Sequence, residues 1–209
     1  MSKPEQIFNK YAVQYFQKYA NVDLYSESID FFLKDLKPNS KVLEVACGPG
    51  NLTAYLISKR SDLEILGLDI AENMIEIAKR NKPTAEFLKM DCREIYRLDR
   101  KFDAVVAGFY LPYLNKDEAQ LFVEYCSDLL NEDGILYLSF MEDNYKNSGY
   151  VGSSNGGEEN LFTYYHQKDY LLDFLREHDF NLIFSDRVEN ENNQENVKDL
   201  ILIARKLSG

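Results

Sequence analysis

Short apolar runs alternate with segments of helical periodicity along most of the chain, and this alternation constrains the fold more than any other feature. The apolar runs lie at 41–46, 64–69, 85–91, 102–109 and 134–140. Short, nearly continuous apolar runs are typical of strands that are buried on both faces of a sheet. Between them, segments such as 71–81 and 115–131 place their apolar side chains on one helical face. The pattern therefore predicts an α/β fold, a doubly wound and mostly parallel sheet with helices on both faces.

The C-terminal part of the chain departs from this alternation. A helix is expected at 167–179, and two strand-like runs follow at 181–189 and 199–206, joined by a short polar link. A link of this kind favours an antiparallel hairpin. We therefore expect one antiparallel strand near the edge of the sheet.

The N-terminal segment carries aromatic residues at helical spacing. Phe8, Tyr11, Tyr15 and Tyr19 step by three or four residues and form one stripe. A helix packed on the sheet explains the stripe, and so does a lid over a ligand site. Both interpretations stay open at this point.

Composition narrows the possible partners. The chain has 35 acidic and 24 basic residues and a formal net charge of −11. No Lys/Arg cluster marks the basic surface that nucleic acid binding requires, so a nucleic-acid substrate is not expected. No signal-peptide pattern and no membrane-length apolar stretch is present, and three widely spaced cysteines fit reduced thiols in a cytoplasmic protein.

Glycines and carboxylates gather where the predicted strands end, which is where ligands bind in open α/β sheets. Gly48 and Gly50 follow the first strand, and glycine allows the backbone to turn sharply against a ligand. Asp69 ends the second strand, where a carboxylate can accept both hydroxyls of a ribose. Asp91 ends the third strand, and Glu44 precedes the glycine loop.

Two kinds of nucleotide ligand are candidates for this loop. A dinucleotide site requires G-x-G-x-x-G, but Thr53 occupies the third glycine position. The carboxylate of Glu44 would repel a pyrophosphate and attract a ligand that carries an ammonium and a sulfonium. The sequence therefore favours a cationic nucleoside over a phosphorylated one.

Four segments in this order resemble the successive motifs of class I S-adenosylmethionine-dependent methyltransferases. They are VLEVACGPGNLT (42–53), GLDIAENMIEIAKRN (67–81), FLKMDCREI (87–95) and FDAVVAGFYLPYL (102–114). The resemblance implies a seven-stranded Rossmann-like sheet with an antiparallel C-terminal strand, S-adenosylmethionine as cofactor, and a single methyltransferase domain over 1–209. The implied parts are a helical cap (1–40), a cofactor-binding core (41–142), a substrate-side loop (143–166) and a C-terminal helix and hairpin (167–209).

The resemblance also assigns roles to individual residues. The implied cofactor-binding residues are Tyr11, Glu44, Ala46, Gly48, Gly50, Asp69, Ile70, Met74, Asp91, Cys92, Ala107 and Phe109. Asp69 would bind the ribose, Asp91 and Cys92 the adenine edge, and Glu44 would lie near the methionine end. Ile70 and Met74 would flank adenine, although both are equally explained as core residues. Ala46 stands where the family usually has glycine, and Ala71 stands where a helix-capping Ser is common.

The acceptor side is less defined. His166 is a candidate general base, and the alternative is that it caps or packs at a helix start. Tyr110 and Tyr113 are candidate substrate residues that line an aromatic pocket or simply pack. Residues 144–160, with Gly149, Gly152, Gly156 and Gly157, are interpreted as a flap over the substrate or as ordinary surface loop.

The expected function is methyl transfer to a small molecule, with no nucleic-acid or membrane partner. A non-catalytic module that only binds S-adenosylmethionine and a nicotinamide-dependent oxidoreductase are the alternatives. The sequence leaves the nucleophilic atom of the acceptor open.

Overall fold

The computed structural model describes residues 2–152, 159–191, 193 and 197–208, and they form seven α-helices and nine strands. The helices are α1 (Lys3–Lys10), α2 (Ala12–Lys18), α3 (Ser26–Lys34), α4 (Asn51–Lys59), α5 (Glu72–Asn81), α6 (Lys116–Leu129) and α7 (Lys168–Glu177). The strands are β1 (Lys41–Val45), β2 (Glu64–Asp69), β3 (Glu86–Lys89), β4 (Phe102–Gly108), β5 (Leu130–Glu142), β6 (Gly149–Gly152), β7 (Asn160–Thr163), β8 (Phe180–Val188) and β9 (Lys198–Lys206).

Seven of the strands form one sheet in the order β3-β2-β1-β4-β5-β9-β8. The five strands from β1 to β5 pair in parallel, whereas β9 is antiparallel to both β5 and β8. The predicted α/β class and the antiparallel C-terminal strand are therefore confirmed. The order reverses between β1 and β4, and this switch point opens a crevice at the carboxyl ends of the parallel strands.

Helices cover both faces of the sheet because alternate side chains of each buried strand point to opposite faces. Leu43 and Val45 of β1 belong to a core that includes residues of α6 and α7. Val42, one residue earlier, belongs to a second core with residues of α3 and α4. Apolar residues that are buried on both faces explain why the strands have nearly continuous apolar sequences.

Local signals set several element boundaries. Asn115 and Glu118 form the predicted capping box at the start of α6. No side-chain hydrogen bond caps α5 at Ala71, as expected for alanine. The N-terminal stripe is divided between two helices, because Tyr11 leaves helical geometry at φ −107° and ψ 18°.

Strand β5 differs from the prediction because it begins at Leu130, directly after α6, and not at residue 134. Among the residues that the structure describes, no helix combines the length and apolar character needed to cross a bilayer.

Candidate cofactor-binding site

The loop between β1 and α4 turns through three residues in the left-handed region of backbone space. Gly48 has φ +54° and Gly50 has φ +80°, conformations that glycine adopts without steric cost. Ala46 has φ +54°, although its Cβ makes this region unfavourable by about 1–2 kcal/mol. At Ala46 the backbone therefore adopts a conformation typical of glycine, although the residue is alanine.

Asp69 joins the end of β2 to this loop. One carboxylate oxygen accepts a hydrogen bond from the Gly48 N–H at 3.0 Å, and the other accepts from the Ala71 N–H at 2.8 Å. Burial raises the pKa of Asp69 to about 6, although these hydrogen bonds favour the ionised form. A carboxylate has about four acceptor sites, so acceptor capacity remains for a ligand.

Glu44 is buried behind the loop, with an exposed fraction of 2%. One of its carboxylate oxygens accepts a hydrogen bond of 2.5 Å from the Thr53 hydroxyl in the first turn of α4. Burial raises the pKa of Glu44 to about 8 despite that hydrogen bond, and the charge of nearby Asp69 adds to the effect. Thr53, which occupies the third position of the glycine pattern, is therefore the partner of this carboxylate.

Asp91 and Cys92 follow β3 at the next strand end. Asp91 is held by Arg93, whose Nε and terminal nitrogen donate to its two oxygens at 3.0 and 2.8 Å. Burial opposes ionisation of Asp91, but Arg93 outweighs it and lowers the pKa below its ordinary value. The Sγ of Cys92 accepts from the Ala46 N–H at 3.3 Å, and burial raises the pKa of this thiol. Cys92 therefore packs against the loop and offers no reactive thiolate.

A cleft of about 730 Å³, counting the open space at its mouth, lies above these strand ends. Ten residues singled out in the sequence line it: Ala46, Gly48, Asp69, Ile70, Met74, Asp91, Cys92, Phe109, Tyr110 and Tyr113. The structure thus gathers residues from four strand ends in one cleft.

Five other residues that the sequence singled out do not line the cleft: Tyr11, Glu44, Gly50, Ala107 and His166. Gly50 is instead the N-cap residue of α4, where a Cβ would come within 3.2 Å of the Ala78 side chain in α5. Ala107 is fully buried in β4. Tyr11 lies beside Lys10, whose ammonium is 5.0 Å from the tyrosine ring centroid.

Residues to which the sequence analysis assigned no individual binding role complete the walls. Phe8 of α1 and Tyr15 of α2 line the cleft in place of Tyr11, and Arg93 lines it beside Asp91. The aromatic stripe in the sequence was the signal that could have identified Phe8 and Tyr15. The break at Tyr11 determines which of its members face the cleft.

His166 lies in the core, with no exposed surface, next to the turn that follows β4. Its Nε2 is 2.9 Å from the Leu111 carbonyl and 3.1 Å from the Leu114 carbonyl, and its Nδ1 is 2.7 Å from the Tyr170 hydroxyl. Burial lowers the pKa of His166, which favours the neutral ring. With both nitrogens engaged, the geometry favours the packing interpretation over the role of general base.

Residues at the two ends of the candidate flap contact α1. Strands β6 and β7 form an antiparallel pair, and Glu159 just before β7 forms an ion pair of 2.8 Å with Lys10. The Lys3 ammonium lies 5.2 Å from the ring centroid of Tyr150 in β6. Gly156 and Gly157 lie outside the described residues, so the flap stays a prediction.

Comparison with known proteins agrees with this geometry. Residues 42–134 match a family model described as a methyltransferase domain. A putative methyltransferase of Invertebrate iridescent virus 6 is 32% identical over 136 residues, covering 60% of this chain and 50% of the viral protein. A carboxy-S-adenosyl-L-methionine synthase of Campylobacter lari is 29% identical over 155 residues, covering 65% of each chain. The chain thus spans between half and two thirds of the length of these two relatives.

Solved structures show the same fold. A methyltransferase from Clostridium acetobutylicum superposes with a TM-score of 0.74 at 14% identity, covering 97% of this chain and all of the other. The complex of DhpI with S-adenosylmethionine and HEP gives 0.73 at 18% identity, covering 98% and 99%. The sheet order and the strand-end site are those of the methyltransferase fold that these solved structures share. Within residues 42–134 the chain is similar to methyltransferase domains, and the DhpI complex holds S-adenosylmethionine.

Proposed function

We propose that the protein transfers a methyl group from S-adenosylmethionine, bound in the cleft above the strand ends, to a small-molecule acceptor. The observation that carries the proposal is the hydrogen bond between Asp69 and the Gly48 N–H. It fixes the carboxylate that would bind the ribose against the glycine loop that would contact the methionine part. Both groups then face a single cleft.

The residues present fit this cofactor. A Cβ on Gly48 would point into the cleft and meet the edge of the Tyr15 ring at 3.7 Å, so glycine keeps this space available to a ligand. Ile70 and Met74 provide apolar wall beside Asp91 for a planar base. Asp69 provides free acceptor sites for two ribose hydroxyls. Glu44 would contribute negative charge from behind the loop and not direct contact.

The bound cofactor supplies an activated methyl group on a positively charged sulfur with a good neutral leaving group. The main task of the protein is then to hold the acceptor in line and to exclude water, and positioning of this kind can supply about 7–11 kcal/mol. The aromatic residues Phe8, Tyr15 and Tyr113 line the cleft and contact one another through Phe8, and they would cover the reacting atoms.

Calorimetric titration with S-adenosylhomocysteine, the demethylated cofactor, tests the proposal. The protein should bind it at a single site, and Asp69→Asn should weaken binding by at least about tenfold, because a charge-assisted hydrogen bond is lost. Glu64→Gln, at the exposed opposite end of the same strand, should leave binding unchanged.

Absence of binding to the wild-type protein would refute the proposal. Tighter binding of NAD than of S-adenosylhomocysteine would point to an oxidoreductase. Cofactor binding without any methylated product across a broad panel of acceptors would favour a non-catalytic module.

A further inference from the structure

Three aromatic rings enclose the part of the cleft that faces the glycine loop. Phe8 meets Tyr15 at a centroid distance of 6.1 Å and an interplanar angle of 86°, and it meets Tyr113 at 5.4 Å and 88°. Tyr19 supports Tyr15 from behind at 4.4 Å. We call Phe8, Tyr15 and Tyr113 the aromatic box. The Phe8 ring stands nearly perpendicular to both tyrosine rings, so a small group beside it can contact the edge or face of more than one ring.

The charges that line the cleft favour a cationic ligand over an anionic one. Arg93 is the only cation among the described residues that line it, and its Nε and one terminal nitrogen donate to the two oxygens of Asp91. The negative charge of Asp69 interacts with both Tyr15 and Tyr113. A carboxylate and the negative faces of aromatic rings attract positive charge and repel an anionic acceptor.

No described residue in the cleft is available as a base. The proposed function assigns the remaining acceptor sites of Asp69 to the ribose hydroxyls, and Asp91 is held by Arg93. Burial raises the pKa of the Tyr15 and Tyr113 phenols, so they stay protonated. His166 is fully engaged outside the cleft. A hydroxyl or carbon acceptor would need such a base to remove its proton, whereas a neutral amine has a free lone pair.

We infer that the acceptor is an amine whose nitrogen lies in the aromatic box, and this inference rests on the proposed function. The nitrogen lone pair forms the new bond to the methyl group, and the sulfur keeps the electron pair of the bond that breaks. The single positive charge therefore moves from sulfur to nitrogen, and any proton left on the nitrogen goes to water afterwards. The negative faces of the aromatic rings would stabilise this positive charge while it moves from the sulfur to the nitrogen.

Choline and its carbon isostere, in which a quaternary carbon replaces the nitrogen, test the inference by binding alone. Both are titrated into protein saturated with S-adenosylhomocysteine, together with an anionic analogue that carries the same branched head group and a carboxylate. Choline should bind about tenfold more tightly than the neutral isostere, as expected for desolvated contact with two or three rings. The anionic analogue should bind most weakly.

Variants of the box provide the controls. Tyr113→Leu should reduce the preference for choline to below about threefold, and Tyr113→Phe, which keeps the ring, should retain it. Tyr96→Leu removes a tyrosine that is 56% exposed and outside the cleft, so it should change nothing. Melting temperatures with and without S-adenosylhomocysteine show that each variant is folded.

Three results would overturn the inference: equal or tighter binding of the neutral isostere, tightest binding of the anionic analogue, or no binding of any probe at millimolar concentration. Each of these results leaves the proposed function standing if S-adenosylhomocysteine binds. Failure of S-adenosylhomocysteine to bind would instead remove the proposed function itself.

Discussion

Replacing Glu44 by Gln should change how the stability of the protein depends on pH. Burial raises the pKa of Glu44 from 4.5 to about 8 in the folded chain without cofactor. The folded state therefore binds a proton that the unfolded state releases above pH ~4.5, so this residue destabilises the fold progressively as pH rises toward 8. Glutamine cannot ionise, so the variant should lack this part of the pH dependence.

The expected magnitude follows from the two pKa values. Each pH unit between them removes about 1.4 kcal/mol once the unfolded chain is ionised. From pH 5 to pH 8 the wild-type protein should therefore lose roughly 3–4 kcal/mol relative to Glu44→Gln. For a chain of this length, that corresponds to a relative change in melting temperature of roughly 10 °C.

Urea unfolding of both proteins at several pH values between 5 and 8 measures this difference directly. A constant offset between wild type and variant, such as an altered hydrogen bond with Thr53, cancels because only the change with pH is compared. Glu64→Gln, an exposed carboxyl on β2, controls for the loss of one negative charge. Parallel pH profiles for wild type and Glu44→Gln would show that Glu44 is ionised at neutral pH, and the reasoning would be refuted.

Three further substitutions test local features of the fold. Ala46→Gly should stabilise the protein by about 0.5–1 kcal/mol in urea unfolding, because relief of the left-handed conformation exceeds the entropy that glycine gains when unfolded; no gain would mean that the loop stores no strain there. Gly50→Ala should cost at least about 2 kcal/mol, since it combines φ +80° with a Cβ 3.2 Å from a side chain of α5, and a melting temperature equal to wild type would contradict this. Asp199→Asn should cost about 1.5–3 kcal/mol, because the buried carboxylate accepts from the Tyr25 hydroxyl at 2.7 Å and from two asparagine side chains. Exposed Asp128→Asn is its control, and equal losses in the two variants would argue against the buried network.

The strand ends were predictable because each depends on a local pattern. A buried parallel strand needs a continuous apolar run, and a turn at its end needs glycine or a polar residue, so Gly48 and Asp69 stand out in the sequence. Parallel strands end at the same edge of the sheet, and residues from different strands therefore meet there. The same logic predicts that Asp69, Asp91 and Phe109 lie at one edge of the sheet, and all three line the cleft.

The aromatic walls were not predictable in the same detail. An aromatic stripe shows that one side of a helix is buried, but it does not show what covers that side. The chain leaves helical geometry at Tyr11, and the direction of α2 after this break turns Tyr15 toward Gly48. Such a change in direction results from packing between elements distant in sequence, for which the sequence contains no local signal.

His166 shows a second limit of sequence reasoning. Histidine is a frequent general base, but its role depends on whether a ring nitrogen is free. Both nitrogens are engaged here, and the ring fastens the turn after β4 to α7 through Tyr170. That turn carries Tyr113, so His166 supports the wall of the cleft from a distance.

A cationic ligand would stabilise the ionised form of Glu44, which burial makes unfavourable in the empty protein. A carboxylate that is buried without a cationic partner weakens the protein on its own, and at Asp69 burial acts in the same direction. A ligand with an ammonium and a sulfonium supplies the missing positive charge. Its binding therefore offsets the free-energy cost of burying these carboxylates. A pyrophosphate would increase the penalty at the same atoms. The two carboxyl groups whose ionisation is unfavourable in the empty site are therefore the groups that favour a cationic cofactor.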